Sequence, residues 1–227
     1  AGGALRWHKI TGIIRSEMGA EREDEYLWRR ENMSKVAIIG SGVSGLVLGI
    51  GLIEQGHDVS IFTGLSGEDW MTKVPPTGAA CRFASSLDLE RELGINHWED
   101  TTPINGVHLT FSPKYSPKPG KTGPQLLDLM GRFSRPALSV DVRLQSYRWE
   151  KDFEERGGKT VLGNVDLEGL DKIAQEHDMT FVAAGKAEIG KLFEVDEERS
   201  IYAKPQRKLA MIIMKNADMD RSKDGIH

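Results

Sequence analysis

The sequence predicts an α/β fold built on a parallel sheet, and three observations carry that prediction. Lys35–Ile39 is a short apolar, β-branched run of the kind that forms a strand buried on both faces. Gly40-Ser41-Gly42-Val43-Ser44-Gly45 follows at once, with G-x-G-x-x-G spacing. Short apolar runs then alternate with helical patterns as far as residues 180–184 (TFVAA), which is the rhythm of βαβ units.

Taken in order, residues 1–32 are densely charged from position 15 onward, and Tyr26, Leu27 and Trp28 are their one substantial apolar cluster. They are expected to lie outside the fold, upstream of a true start at Met33; the competing reading is a partner-binding arm. After the first strand and glycine turn, residues 46–55 read as a helix ended by Gly56, and residues 59–62 as a second strand. Gly49 and Gly51 inside that helix each cost about 1 kcal/mol against Ala, so the helix is expected to press against a neighbour. Residues 64–80, rich in Gly, Pro and Thr, read as a loop.

Residues 85–93 read as a helix stopped by Gly94. Ile104, Val107, Leu109 and Phe111 mark a strand, and residues 112–124, crowded with Pro, Lys and Gly, an exposed hairpin turn. Residues 139–156 read as one long helix with Ser139 or Asp141 near its start and Gly157-Gly158 as its stop. A short strand at 160–162 and a helix at 166–176, apolar at Leu167, Leu170 and Ile173, lead into strand 180–184, closed by Gly185. Residues 208–215 (KLAMIIMK) read as a further strand, before a polar tail.

Strand, glycine turn, helix and strand between positions 35 and 63 form the context a Rossmann-like dinucleotide motif requires. Gly40 permits the tight turn, Gly42 admits a pyrophosphate where a Cβ would stand, and Gly45 lets helix and strand pack closely. The helix N-terminus adds unpaired N–H groups and the positive end of its dipole. One element departs from the pattern. The acidic residue that holds a ribose 2′-hydroxyl about 20 residues on is replaced by Thr63, which brings no charge. No arginine follows closely to hold a 2′-phosphate, and the departure weakens an ordinary NAD site more than a flavin site.

Composition closes other routes. A net charge of −4 over 227 residues offers no basic field for nucleic acid. No apolar run reaches the roughly 18 residues of a membrane span. The single cysteine, Cys81, excludes an intrachain disulfide framework and suits a reducing cytoplasm. The six histidines are scattered without metal-ligand spacing, so no metal site is expected. No catalytic triad, carboxylate pair or histidine-centred site stands out, and no catalytic residue is assigned.

Beyond the glycine motif, the stretches GSGVSGLVLGIGLIEQGHDVSIFT, LERELGINHWED, VDVRLQ followed by FEERGGK, FVAAGKAEIGKLFE and KPQRKLAM together resemble one family. It is that of the oxygenase components of styrene and indole monooxygenases, two-component FAD enzymes. The likeness runs from residue 35 to about 214, and the missing acidic residue at Thr63 matches it. The resemblance implies a Rossmann-like FAD-binding domain of the flavoprotein hydroxylase type with inserted β substrate-domain segments. It divides the chain into the extension at 1–32, a first FAD-binding part at 33–103 and a β excursion at 104–134. A second FAD-binding part at 135–200 and the start of a substrate domain at 201–227 follow.

The implied activity is epoxidation of an aromatic alkene such as styrene or indole, with O₂ and externally reduced FAD. The protein's share is binding, orientation and exclusion of water. The implied partners are a flavin reductase and a small aromatic substrate, with a homodimer left open and neither nucleic acid nor membrane expected. Gly40, Ser41, Gly42, Val43, Ser44, Gly45 and Thr63 are the motif's cofactor-binding candidates. The resemblance adds Arg143 toward FAD phosphate or ribose, Val165 beside adenine, and Gly185 under the nucleotide. A surface cation, core packing and a plain turn glycine are the respective alternatives. The family continues well beyond this length, so the chain is expected to be an N-terminal portion that does not epoxidise by itself. Two other functions stay open: a different FAD- or NAD-dependent oxidoreductase, and a non-catalytic nucleotide-binding fragment.

Overall fold

The computed structural model describes residues 33–76, 78–111, 127–185 and 196–200. A four-stranded parallel sheet holds β1 (Lys35–Ile39), β2 (Asp58–Thr63), β6 (Lys159–Leu162) and β7 (Met179–Val182), in the order β6-β2-β1-β7. A three-stranded antiparallel sheet holds β3 (Ala79–Arg82), β4 (Ile104–Phe111) and β5 (Leu127–Asp141), in the order β3-β5-β4. The helices are α1 (Val43–Glu54), α2 (Gly67–Thr72), α3 (Ala84–Glu92), α4 (Val142–Glu155) and α5 (Leu167–Glu176). The α/β class read from the sequence is the one observed.

β1 is apolar throughout because both of its faces are covered, and successive side chains on a strand point to opposite sides. Val36 and Ile38 meet Val59 and Ile61 of β2, Leu46 and Ile50 of α1, and Trp149 and Phe153 of α4 in the main core. Ala37 and Ile39 turn the other way, against Ile173 of α5, with Phe62, Val165 and Leu170 around them. Trp149 and Phe153, four apart on α4, share one helix face. The indole Nε1 of Trp149 donates to the Ile95 carbonyl at 2.9 Å. Burying such rings contributes about 1.5–3 kcal/mol each, which makes α4 the main brace of the sheet.

Several expectations need correction. Residues 64–80 are not a loop. Ser66 Oγ accepts from Asp69 N at 3.1 Å and Asp69 Oδ2 from Ser66 N at 3.2 Å, a capping box that starts α2. β3 closes the same stretch by pairing with β5. The helix expected at 139–156 starts at Val142, because Ser139–Asp141 belong to β5 and pair with β3; Asp141 is the N-cap. β5 itself runs unbroken from Leu127 to Asp141. Its register shift against β4 spans the interval that contains Pro136, where a missing N–H is tolerated.

Gly49 is pressed as expected, since an added Cβ would stand 3.0 Å from the Phe153 ring and 3.2 Å from Ile61. Gly51 is not, for nothing lies within 4 Å of that position. The expectations for residues 1–32, for the turn at 112–124 and for the strand at 208–215 lie outside the described residues.

Candidate functional site

A cavity of about 770 Å³ opens at the carboxyl ends of the parallel strands, where ligands of open α/β sheets bind. It is lined by residues 39–42 after β1, 62–65 after β2, Trp70 of α2, 163–165 after β6 and 183–185 after β7. No ionisable side chain is among these residues. A ligand here meets backbone, apolar surface and a few neutral polar groups.

The glycine turn builds one wall. Gly40 has φ 114°, and a Cβ on it would lie 2.7 Å from the Ala183 carbonyl oxygen, so this position takes only glycine. Its N–H donates to the Phe62 carbonyl at 2.8 Å, and Ala183 N donates to the Ile39 carbonyl at 2.8 Å. The turn is thus tied to both neighbouring strands. Gly42, the N-cap of α1, is extended, with no atom within 4 Å of where its Cβ would be. No side chain caps α1, and its first turn holds no acidic residue. Its leading N–H groups and dipole therefore face the space in front of Gly42 with no side chain competing, the arrangement that receives a phosphate.

Thr63 is spent internally. Its Oγ1 lies 2.8 Å from Ser41 Oγ, hydrogen-bonds to the Leu65 carbonyl at 3.1 Å and accepts from Leu65 N at 3.2 Å. Ser41 and Thr63 are both buried, so the pair fastens the turn to the end of β2. Gly185 (φ 60°) and Val165 lie on the lining as well, and Val165 also packs beneath the sheet on the Ala37–Ile39 side.

Four candidates lie off the lining. Val43 packs into the main core, Ser44 is exposed, and a Cβ on Gly45 would overlap the Gly40 carbonyl oxygen. Arg143 Nη2 and Nε bond Asp141 at 2.6 and 3.1 Å, and Nη1 reaches the Val74 carbonyl at 3.4 Å. The side-chain hydrogen bond between them raises the Arg143 guanidinium further and holds the Asp141 carboxyl below the usual carboxylate range.

The sequence reading missed Trp70 and Asn164. Trp70 sits on the helix taken for a loop, with its indole Nε1 buried and without a partner among the described residues. Asn164 follows Gly163, whose N–H donates to the Thr63 carbonyl at 2.8 Å. The rule that ligands gather at strand carboxyl ends would have found Asn164 once β6 was placed beside β2. Among the described residues no group of three or more His, Cys, Asp and Glu is placed to hold a metal. No described helix is long and apolar enough to cross a membrane.

Residues 185–227 match the family described as the styrene monooxygenase A putative substrate binding domain. The chain is 27% identical over 181 residues to styrene monooxygenase StyA of Pseudomonas fluorescens, and 28% identical over 181 residues to that of a Pseudomonas species. Each match covers 80% of this chain and 41% of the relative, so the chain spans about two fifths of the length of the curated relatives it matches. Among solved structures, the flavin-dependent halogenase CmlS matches with TM-score 0.45 and 19% identity, over 60% of this chain and 24% of the halogenase. Aklavinone-11 hydroxylase, solved with FAD and aklavinone, matches with TM-score 0.40 and 16% identity, over 57% and 25%. Over these stretches the chain is similar to styrene monooxygenases.

Proposed function

We propose that this chain supplies the FAD-binding portion of a styrene monooxygenase-type oxygenase. On that reading a separate flavin reductase provides reduced FAD, and one oxygen atom of O₂ is transferred to a small aromatic alkene such as styrene or indole. The observation that carries the cofactor assignment is the uncapped N-terminus of α1 behind the open space at Gly42, at the carboxyl edge of a parallel sheet.

The residues fit the group. Gly42 leaves room for a pyrophosphate, and the N–H groups of the first helical turn meet its charge. Gly40 holds the turn in a conformation closed to other residues, while Ser41 and Thr63 brace it against β2. Phe62 and Val165 offer apolar surface to an adenine, and Gly185 keeps the rim low on the β7 side. The chemistry supplied by the flavin is activation of dioxygen and delivery of one oxygen atom. The chain's own part here is to bind and orient the nucleotide end. A lone, exposed Cys81 suits a reducing cytoplasmic setting.

Calorimetric titration with FAD and with ADP tests the assignment, and both should bind. Absence of binding by either would overturn it. Rapid reduction of bound flavin by NADH alone would favour a different flavin oxidoreductase. With reduced FAD, O₂ and styrene or indole, the yield of epoxide or indigo against peroxide tells an oxygenase from a non-catalytic nucleotide-binding chain.

A further inference from the structure

The carboxylate that normally receives a ribose diol at the end of the second strand is absent, and its stand-in is occupied. Thr63 Oγ1 is buried and bonded to Ser41 and Leu65. The next residue, Gly64, has no side chain. The space a Cβ would take there is filled instead by Asn164 Oδ1, from the turn after β6. β6 lies beside β2, with Leu162 opposite Thr63, so the two strand ends open onto the same edge of the cavity.

The Asn164 carboxamide is exposed and makes no hydrogen bond within the described residues. Of the polar side chains on the lining, Ser41 and Thr63 satisfy one another and the Trp70 nitrogen is buried. Asn164 alone among them combines exposure with unused donors and an unused acceptor, and an amide can serve both roles toward a diol.

We propose that Asn164 is the specificity residue for the adenosine ribose, replacing, from the turn after β6, the carboxylate that β2 lacks. The inference rests on the nucleotide reading above. It has a consequence that a carboxylate would not: a neutral amide accepts a ribose hydroxyl without repelling a phosphate on that hydroxyl. Discrimination against 2′-phosphorylated adenosine nucleotides is therefore weak at this position.

The test is calorimetric titration of the full chain and of the Asn164→Ala and Asn164→Asp variants. The probes are ADP, 2′,3′-dideoxy-ADP and adenosine 2′,5′-bisphosphate. Asn164 is exposed, so both variants should keep the wild-type melting temperature, which is checked first. Asn164→Ala should weaken ADP about five- to tenfold, the worth of one net hydrogen bond, and leave the dideoxy nucleotide unchanged. Asn164→Asp should bind ADP nearly as the wild type does and lose the bisphosphate about tenfold or more. Equal loss of ADP and dideoxy nucleotide in Asn164→Ala, or no loss of either, would overturn the role of Asn164 and leave nucleotide binding standing. Failure of the wild type to bind ADP would overturn both.

Discussion

A Cβ on Gly45 would overlap the carbonyl oxygen of Gly40, whereas one on Gly42, three residues earlier, would meet nothing within 4 Å. Two glycines of one motif are thus held for different reasons. Gly45 serves the fold, and the proposed nucleotide reading gives Gly42 to the ligand.

Substitution should separate the two. Gly42→Val is compatible with the backbone, which at φ −73° and ψ 177° is open to branched residues. It should melt within a few degrees of the wild type and lose FAD and ADP at least a hundredfold. Gly45→Ala should cost about 3 kcal/mol, the upper end of ordinary overpacking, before any ligand is added. Thermal melts and titrations on both variants check this; unchanged affinity in Gly42→Val would remove the phosphate assignment.

The Arg143 guanidinium and its Asp141 partner are both largely buried, at 21% and 15% exposure, and Asp141 also caps α4. Arg143→Ala should destabilise by about 1.5–3 kcal/mol, the range for hydrogen bonds to charged groups. ADP affinity should stay within about twofold, because Arg143 is committed to Asp141 and lies off the cavity lining. A large loss of affinity at unchanged melting temperature would return Arg143 to the phosphate site.

Arg82 at the end of β3 and Glu90 on α3 form an ion pair whose side chains are each 5% exposed. The guanidinium also lies over the Trp98 ring at 5.7 Å. Its Nε and Nη2 are buried without partners among the described residues. Glu90→Gln should cost about 3–5 kcal/mol, because it leaves a buried cation uncompensated. Arg82→Met combined with Glu90→Leu should cost less than either single change. A double-mutant cycle by denaturant unfolding measures the difference, and additive losses would contradict the pairing.

Glu150 of α4 is buried, with its Oε2 where a Cβ on Gly67, at the start of α2, would stand. Burial pushes its carboxyl above the usual range, the nearby Gly67 backbone N–H opposes this, and Glu154, Asp69 and Glu68 add to the rise. The folded state therefore holds this proton to higher pH than the unfolded chain does. The contribution is present below the ordinary glutamate range and is lost as pH rises from there through the raised value. Glu150→Gln should raise the melting temperature by a few degrees at pH 7 and change little at pH 4. Parallel melting curves for both proteins across that window would show that Glu150 is not the source.

By itself the sequence determined the elements whose signals are local. β1, the glycine turn, α1 and β2 follow from an apolar β-branched run, fixed glycine spacing and helical periodicity, all readable within 30 residues or so. The same holds for α5, with Asp166 as its cap and Leu167, Leu170 and Ile173 in helical spacing, although Leu167 proves to be exposed. Tertiary structure decided what depends on a distant partner. Ser139–Asp141 carry helix-start residues yet extend β5, because β3, more than fifty positions away, supplies the ladder. Gly49 and Gly51 are alike in sequence, but only the first has Phe153 of α4 against it. Thr63 could be seen to lack a charge, but not that Ser41 consumes its hydroxyl or that Asn164 fills the space above Gly64. Those facts follow from the pairing of β6 with β2 across roughly a hundred residues, and no local pattern encodes a register at that range.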